Sequence, residues 1–91
     1  MAKVIVTLKL MPDSPEVDLS LVKDHARKLV EKYGAQYGKD EMHPVAFGLK
    51  ALHLILIVDE EQGSTDKLEA QLKTIQGVQS VEVIDVRRAL G

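Results

Sequence analysis

The run Leu49-Lys50-Ala51-Leu52-His53-Leu54-Ile55-Leu56-Ile57-Val58 constrains this chain more than any other stretch. In an extended backbone Leu52, Leu54, Leu56 and Val58 point to one side, and Ala51, His53, Ile55 and Ile57 to the other. A strand this apolar on both sides belongs at the centre of a sheet. Its longest uninterrupted apolar part, Leu54 to Val58, is far too short to span a bilayer.

Val4 to Leu10 alternates in the same way, with Val4, Val6, Leu8 and Leu10 opposed to Ile5, Thr7 and Lys9, and reads as a second central strand. Met11-Pro12-Asp13-Ser14-Pro15 is expected to end it, because proline cannot donate to a ladder. Asp18 can then cap a helix in which Val22, Ala26, Leu29, Val30 and Tyr33 share one face. Lys23, Asp24, Arg27, Lys28, Glu31 and Lys32 fill the opposite face, and Gly34 is a natural stop. Ala35 to His43 is short and polar, bracketed by Gly34, Gly38 and Pro44, and suits an edge strand or an irregular one. After the turn Asp59-Glu60-Glu61-Gln62-Gly63, Ser64 or Thr65 caps a second helix carrying Leu68, Leu72 and Ile75 on one face, and Gly77 closes it. Val78 to Val86 is the last strand, and Arg87 to Gly91 reads as a tail.

The order is β-α-β-β-α-β. Two split β-α-β units with right-handed crossovers place both helices on one face of an antiparallel four-stranded sheet. The expected class is α+β: a ferredoxin-like βαββαβ two-layer sandwich with strand order 4-1-3-2. Residues 1–91 are expected to form a single domain, since so short a chain has room for one core. The open sheet face would carry Ile5, Thr7, His53, Ile55 and Ile57, an apolar set for a surface left in water.

The chemistry available is narrow. The chain has no cysteine, which removes disulfides, thiolate metal sites and thiol nucleophiles. The formal net charge is −2 with no basic block, so direct nucleic-acid binding is disfavoured. His25, His43 and His53 lack metal-ligand spacing, and Asp59-Glu60-Glu61 lacks the spaced carboxylates of a calcium loop. No glycine-rich loop with a lysine cradles phosphate, and Tyr33 and Tyr37 lie outside the central strands, where an RNA-binding sheet would stack bases. The expectation is a binding module with no cofactor and no metal. The start, running straight into a strand with no apolar leader, points to a cytoplasmic protein without membrane contact.

Two features remain. The loop Pro44-Val45-Ala46-Phe47-Gly48 holds the only phenylalanine in the chain. It is either a plug at the end of the core or an aromatic anchor presented on a stiff loop. Arg87-Arg88 is either a solubilising terminus or a cation pair aimed at a phosphate or carboxylate.

The segment "PVAFGLKALHLILIVDEEQGSTDKLEAQLKTIQGVQSVEVIDVRR", Pro44 to Arg88, resembles the guanine-nucleotide-exchange domain of the elongation factor 1-beta family. "VIVTLKLMPDSPEVDL" resembles the first strand and loop of the same domain, and the compact length resembles the archaeal form. The most specific pieces are "AFGLKAL", the acidic turn with "GSTDKLE", and "GVQSVEV". The resemblance implies the same ferredoxin-like fold. It also implies a role in binding GDP-bound or nucleotide-free elongation factor 1-alpha and promoting GDP release and GTP loading, with no covalent chemistry. The free factor is expected to be monomeric. In eukaryotic members a loop aromatic and a lysine near the C-terminus contact the GTPase. Phe47, with Ala46 and Gly48, falls on the first, and Arg88, or its neighbour Arg87, falls on the second. Here the basic residue is arginine, and three residues follow it rather than one. The rival readings are a small-molecule regulatory or oligomerisation domain of the same fold and, more remotely, an acylphosphatase-like enzyme, for which no arginine-bearing early glycine loop is present.

Overall fold

The computed structural model describes residues 2–89. Alternation becomes β1 (Lys3–Pro12) and β3 (Lys50–Asp59), which pair antiparallel from Lys3↔Asp59 to Leu10↔Leu52. β2 (Gln36–Pro44) flanks β3, and β4 (Val78–Ala89) flanks β1, giving the sheet order β2-β3-β1-β4. This is the expected ferredoxin-like arrangement, with the two apolar strands at its centre.

β1 runs on through Pro12, beyond the expected stop. Its pairing with β3 ends at Leu10, and Pro12 faces only Val78 of β4. A missing N–H is tolerated where one side of the strand has no ladder left.

The helix α1 (Leu19–Tyr33) begins at Asp18, whose carboxylate accepts the Ser20 N–H at 2.9 Å, and stops at Gly34 in the left-handed conformation. Its Val22, Ala26 and Val30 are buried, while Leu29 and Tyr33 pack at the margin of the core. The second helix, α2 (Asp66–Leu72), has seven residues, so Ile75 is buried from the turn that follows it. Thr65 occupies its N-cap, but the hydroxyl donates to Glu69 Oε2 at 2.7 Å; Ser64 Oγ accepts the Asp66 N–H instead. Both helices cover the face bearing Leu8, Leu10, Leu52, Leu54 and Leu56, all at most 1% exposed. On the open face Ile5, Ile55 and Ile57 are half-buried.

The expected tail is absent where Arg87 and Arg88 stand: both belong to β4. Leu90 and Gly91, the rest of that segment, lie outside the described residues. β4 contains a bulge, since Thr7 faces Asp85 while Leu8 faces Val83. Ile84 is the extra residue, and an extra residue reverses the face on which every later side chain falls. Val81 and Val83 therefore face the helices, and so do Val86 and Arg88 beyond the bulge, opposite Val6 and Val4. Asp85 and Arg87 point to the open face.

Candidate functional site

The candidate residues fall at two places, at opposite ends of the sheet. At one end β2 turns into β3. The Val45 N–H donates to the Leu49 carbonyl at 2.8 Å, and the Leu49 N–H donates to the Ala46 carbonyl at 3.2 Å. These bonds close a tight 3₁₀-type turn over Ala46–Gly48. Its central residues, Phe47 (φ 61°, ψ 33°) and Gly48 (φ 74°), both have positive φ, as in type I′ hairpin turns. Asn-Gly is the favoured pair there; a phenylalanine in the left-handed region is held at a steric cost of about 1–2 kcal/mol.

Phe47 is 93% exposed. The plug reading is excluded, because the ring touches no core. The turn projects it away from the sheet, and the hydrogen bonds below fix its base. Met42, opposite Leu52 on the helix-side face of β2, is also exposed near this end. It lines a shallow cleft with Pro12, Pro15, Leu19 and Lys50.

Beneath the hairpin, His43 and His53 stack with ring centroids 4.0 Å apart. Hairpin counting from the loop places His43 opposite Ala51 and Glu41 opposite His53, so the two rings become diagonal neighbours. In the sequence His43 ends the expected edge strand and His53 sits ten residues on in a central one; register is the signal that unites them. Burial, and then the charges of His43 and Lys9, hold the His53 imidazole below its ordinary 6.5, with Glu41 opposing. Hydrogen bonds from His43 and Lys39 lower the Glu41 carboxyl. Among the described residues no group of three or more His, Cys, Asp or Glu could hold a metal ion.

At the other end, Arg88 reaches from β4 across β1 to Glu60, which opens the turn after β3. Its Nε donates to Oε2 at 2.9 Å and its Nη2 to Oε1 at 3.1 Å, a two-pronged pair in partly exposed surroundings. Arg87, on the opposite face, pairs with Asp85 at 2.9 Å. The two arginines are thus separate features, each with its own carboxylate, rather than one flexible cation pair. Glu60 belongs to the acidic turn Asp59–Gly63; sequence separation hides its contact with Arg88, which requires the β4 register. Phe47 lies beyond the Lys50 end of β3, whereas Arg88 is level with Val4 and Val58. Lys50 to Val58 alone spans roughly 26 Å at the usual strand rise.

This is a ferredoxin-like module whose exposed features are a projecting aromatic at one end and a fixed guanidinium at the other. Solved structures agree on the fold. The ACT domain from the GTP pyrophosphokinase of Chlorobium tepidum superposes with a TM-score of 0.62 over 90% of this chain and 99% of that one, at 13% identity. The C-terminal domain of the MgtC protein from Mycobacterium tuberculosis gives 0.61 over 98% and 88%, at 14% identity. Such likenesses carry the fold alone.

Sequence comparison goes further. Residues 5–89 match the family described as the EF-1 guanine nucleotide exchange domain, and the chain belongs to that family. Elongation factor 1-beta of Methanothermobacter thermautotrophicus is 39% identical over 90 residues, covering 99% of this chain and 100% of the relative. That of Methanobrevibacter smithii is 41% identical with the same coverage, and that of Thermofilum pendens 40% identical over the full length of both. Among the described residues no helix is long and apolar enough to cross a membrane.

Proposed function

We propose that this chain promotes guanine-nucleotide exchange on elongation factor 1-alpha, with residues 1–91 acting as one monomeric exchange domain in the cytoplasm. Family membership supports the exchange role. The observation that carries the reading to a contact is Phe47, exposed over 93% of its surface on a hydrogen-bonded turn in a strained conformation. Strain of this kind persists where the surroundings fix it, and it concentrates at clamps and binding sites. A large aromatic presented rigidly loses little entropy on docking, which suits an interface anchor.

The mechanism needs no covalent step. GDP is held on such GTPases by the phosphate-binding loop and by Mg²⁺ bridging to the nucleotide. A factor that binds the nucleotide-free arrangement more tightly than the GDP form weakens GDP binding by the same coupling free energy. Each tenfold loss of affinity requires about 1.4 kcal/mol. In this reading Phe47, flanked by Ala46 and Gly48, anchors the factor. Arg88 offers positive charge to the anionic groups that otherwise hold Mg²⁺. Arg87, directed to the open face, plays the lesser part.

The test is release of fluorescent GDP from archaeal elongation factor 1-alpha, chased with excess unlabelled GDP. Substoichiometric amounts of this protein should accelerate it. Absence of acceleration with both proteins folded would sink the proposal.

A further inference from the structure

We propose that Glu60 is a positioning residue for exchange: it orients the Arg88 guanidinium so that the outward edge receives an oxyanion of the GTPase site. This rests on the exchange reading above. The support is geometric. Glu60 accepts from Nε and Nη2, the side edge of the guanidinium. That uses two of its five N–H donors and leaves the end-on edge, formed by Nη1 and the second N–H of Nη2, for another acceptor. Among the described residues no acceptor meets that edge, and Arg88 remains 66% exposed.

The carboxylate that holds it is itself fixed. The Glu60 N–H donates to the Ala2 carbonyl at 3.0 Å, tying the turn to the start of β1. Two residues on, Gln62 Nε2 donates to the Tyr33 carbonyl at 2.7 Å, tying the same turn to the end of α1. Gly63, at φ 76°, then leads away. The short turn Glu60–Gln62 is therefore braced on both sides, while its first side chain points to Arg88. The Ile84 bulge completes the arrangement, because without it the parity of β4 would bring Arg87 to this face. An arginine held at one edge loses less freedom when its other edge binds, so orientation is supplied before the partner arrives.

The acceptor chemistry is a carboxylate or a phosphate, since both match a planar two-donor edge. The experiment measures GDP release from elongation factor 1-alpha at varied GTPase concentration, with thermal denaturation run on every variant. Glu60→Ala should lower kcat about tenfold with KM unchanged, as expected of a misplaced group acting after docking. Arg88→Ala should do the same, and the double variant should be no slower than Arg88→Ala alone. The exchanged pair Glu60→Arg/Arg88→Glu should regain wild-type thermal stability without regaining exchange. Glu61→Ala, which removes the neighbouring acid, should release GDP at the wild-type rate.

Wild-type exchange by Glu60→Ala, recovery of exchange by the swapped pair, or an equal loss with Glu61→Ala would each overturn the role of Glu60. All three leave the exchange reading standing. Failure of the wild type would instead remove that reading, and this inference with it. Affinity for the nucleotide-free GTPase separates the two acceptors. If Arg88→Ala weakens it, the oxyanion is a GTPase carboxylate; if it does not, the oxyanion is a nucleotide phosphate.

Discussion

Phe47 carries two opposed requirements in one residue. Its φ of 61° and ψ of 33° suit asparagine or glycine, and the exposed ring gains nothing from the core. Phe47→Asn should therefore raise stability by about 1 kcal/mol, which for a chain of this size is a Tm increase of roughly 4–8 °C. The same variant should slow exchange about tenfold or more, as loss of an interface anchor does. A melting curve and a GDP-release trace on one preparation check both halves; a fall in Tm would mean that the ring packs against the protein. His53 gives a second single-residue test. Burial and the nearby charges of His43 and Lys9 keep its folded-state pKa below 6.5. The unfolded chain then takes up a proton near pH 6.5 while the folded chain resists, so stability falls as pH drops from there through the lowered pKa. His53→Gln should flatten the dependence of Tm on pH between about pH 7 and 5. An unchanged slope would exclude His53 as its source.

Elements respond to the close approach of neighbouring backbones. In β2 the register shifts between Tyr37 and Lys39, leaving Gly38 at the irregularity, and a Cβ there would sit 2.7 Å from the Ile55 carbonyl oxygen of β3. Gly38→Ala should cost about 1–3 kcal/mol, measured by denaturant unfolding, because backbone rather than a pliable side chain must move. A loss well below that would show that β2 peels from β3 easily. Legibility divides along the same lines. β1, β3 and α1 were readable because each buries a face at its own period, and Asp18 and Gly34 mark the ends of the helix with side-chain and backbone chemistry. The loop around Phe47 was locatable between Pro44 and Gly48, but the exposure of its ring follows from two successive positive φ values that a phenylalanine does not advertise. β4 was readable only as far as its bulge. Simple alternation from Val81 puts Arg87 with Val83; the extra residue Ile84 puts Arg88 there instead and hides the contact with Glu60. A bulge is a property of two strands together, so one strand's pattern cannot disclose it.

The whole molecule measures 41 × 22 × 18 Å, and its candidate contacts stand near the two extremes of the sheet. A single partner engaging both must present a surface as long as the sheet itself. Neither contact has to be strong, because once one end is seated the other binds from a high effective concentration. The shared sheet is rigid and closely packed, with Leu8, Leu54 and Leu56 at 0% exposure between the ends. It therefore sets the spacing of the contacts without making either depend on the other's side chain. Sites farther apart than about 10 Å, with no contacting residue in common, contribute additively. If Phe47→Ala and Arg88→Ala each reduce kcat/KM for GDP release about tenfold, the double variant should lose about a hundredfold, within a factor of two or so. The losses should differ in kind, with the anchor raising KM and the guanidinium lowering kcat. A double variant no worse than either single would place the two residues on one step and defeat the two-ended grip. Additive losses carried wholly by KM would keep the grip but confine Arg88 to docking.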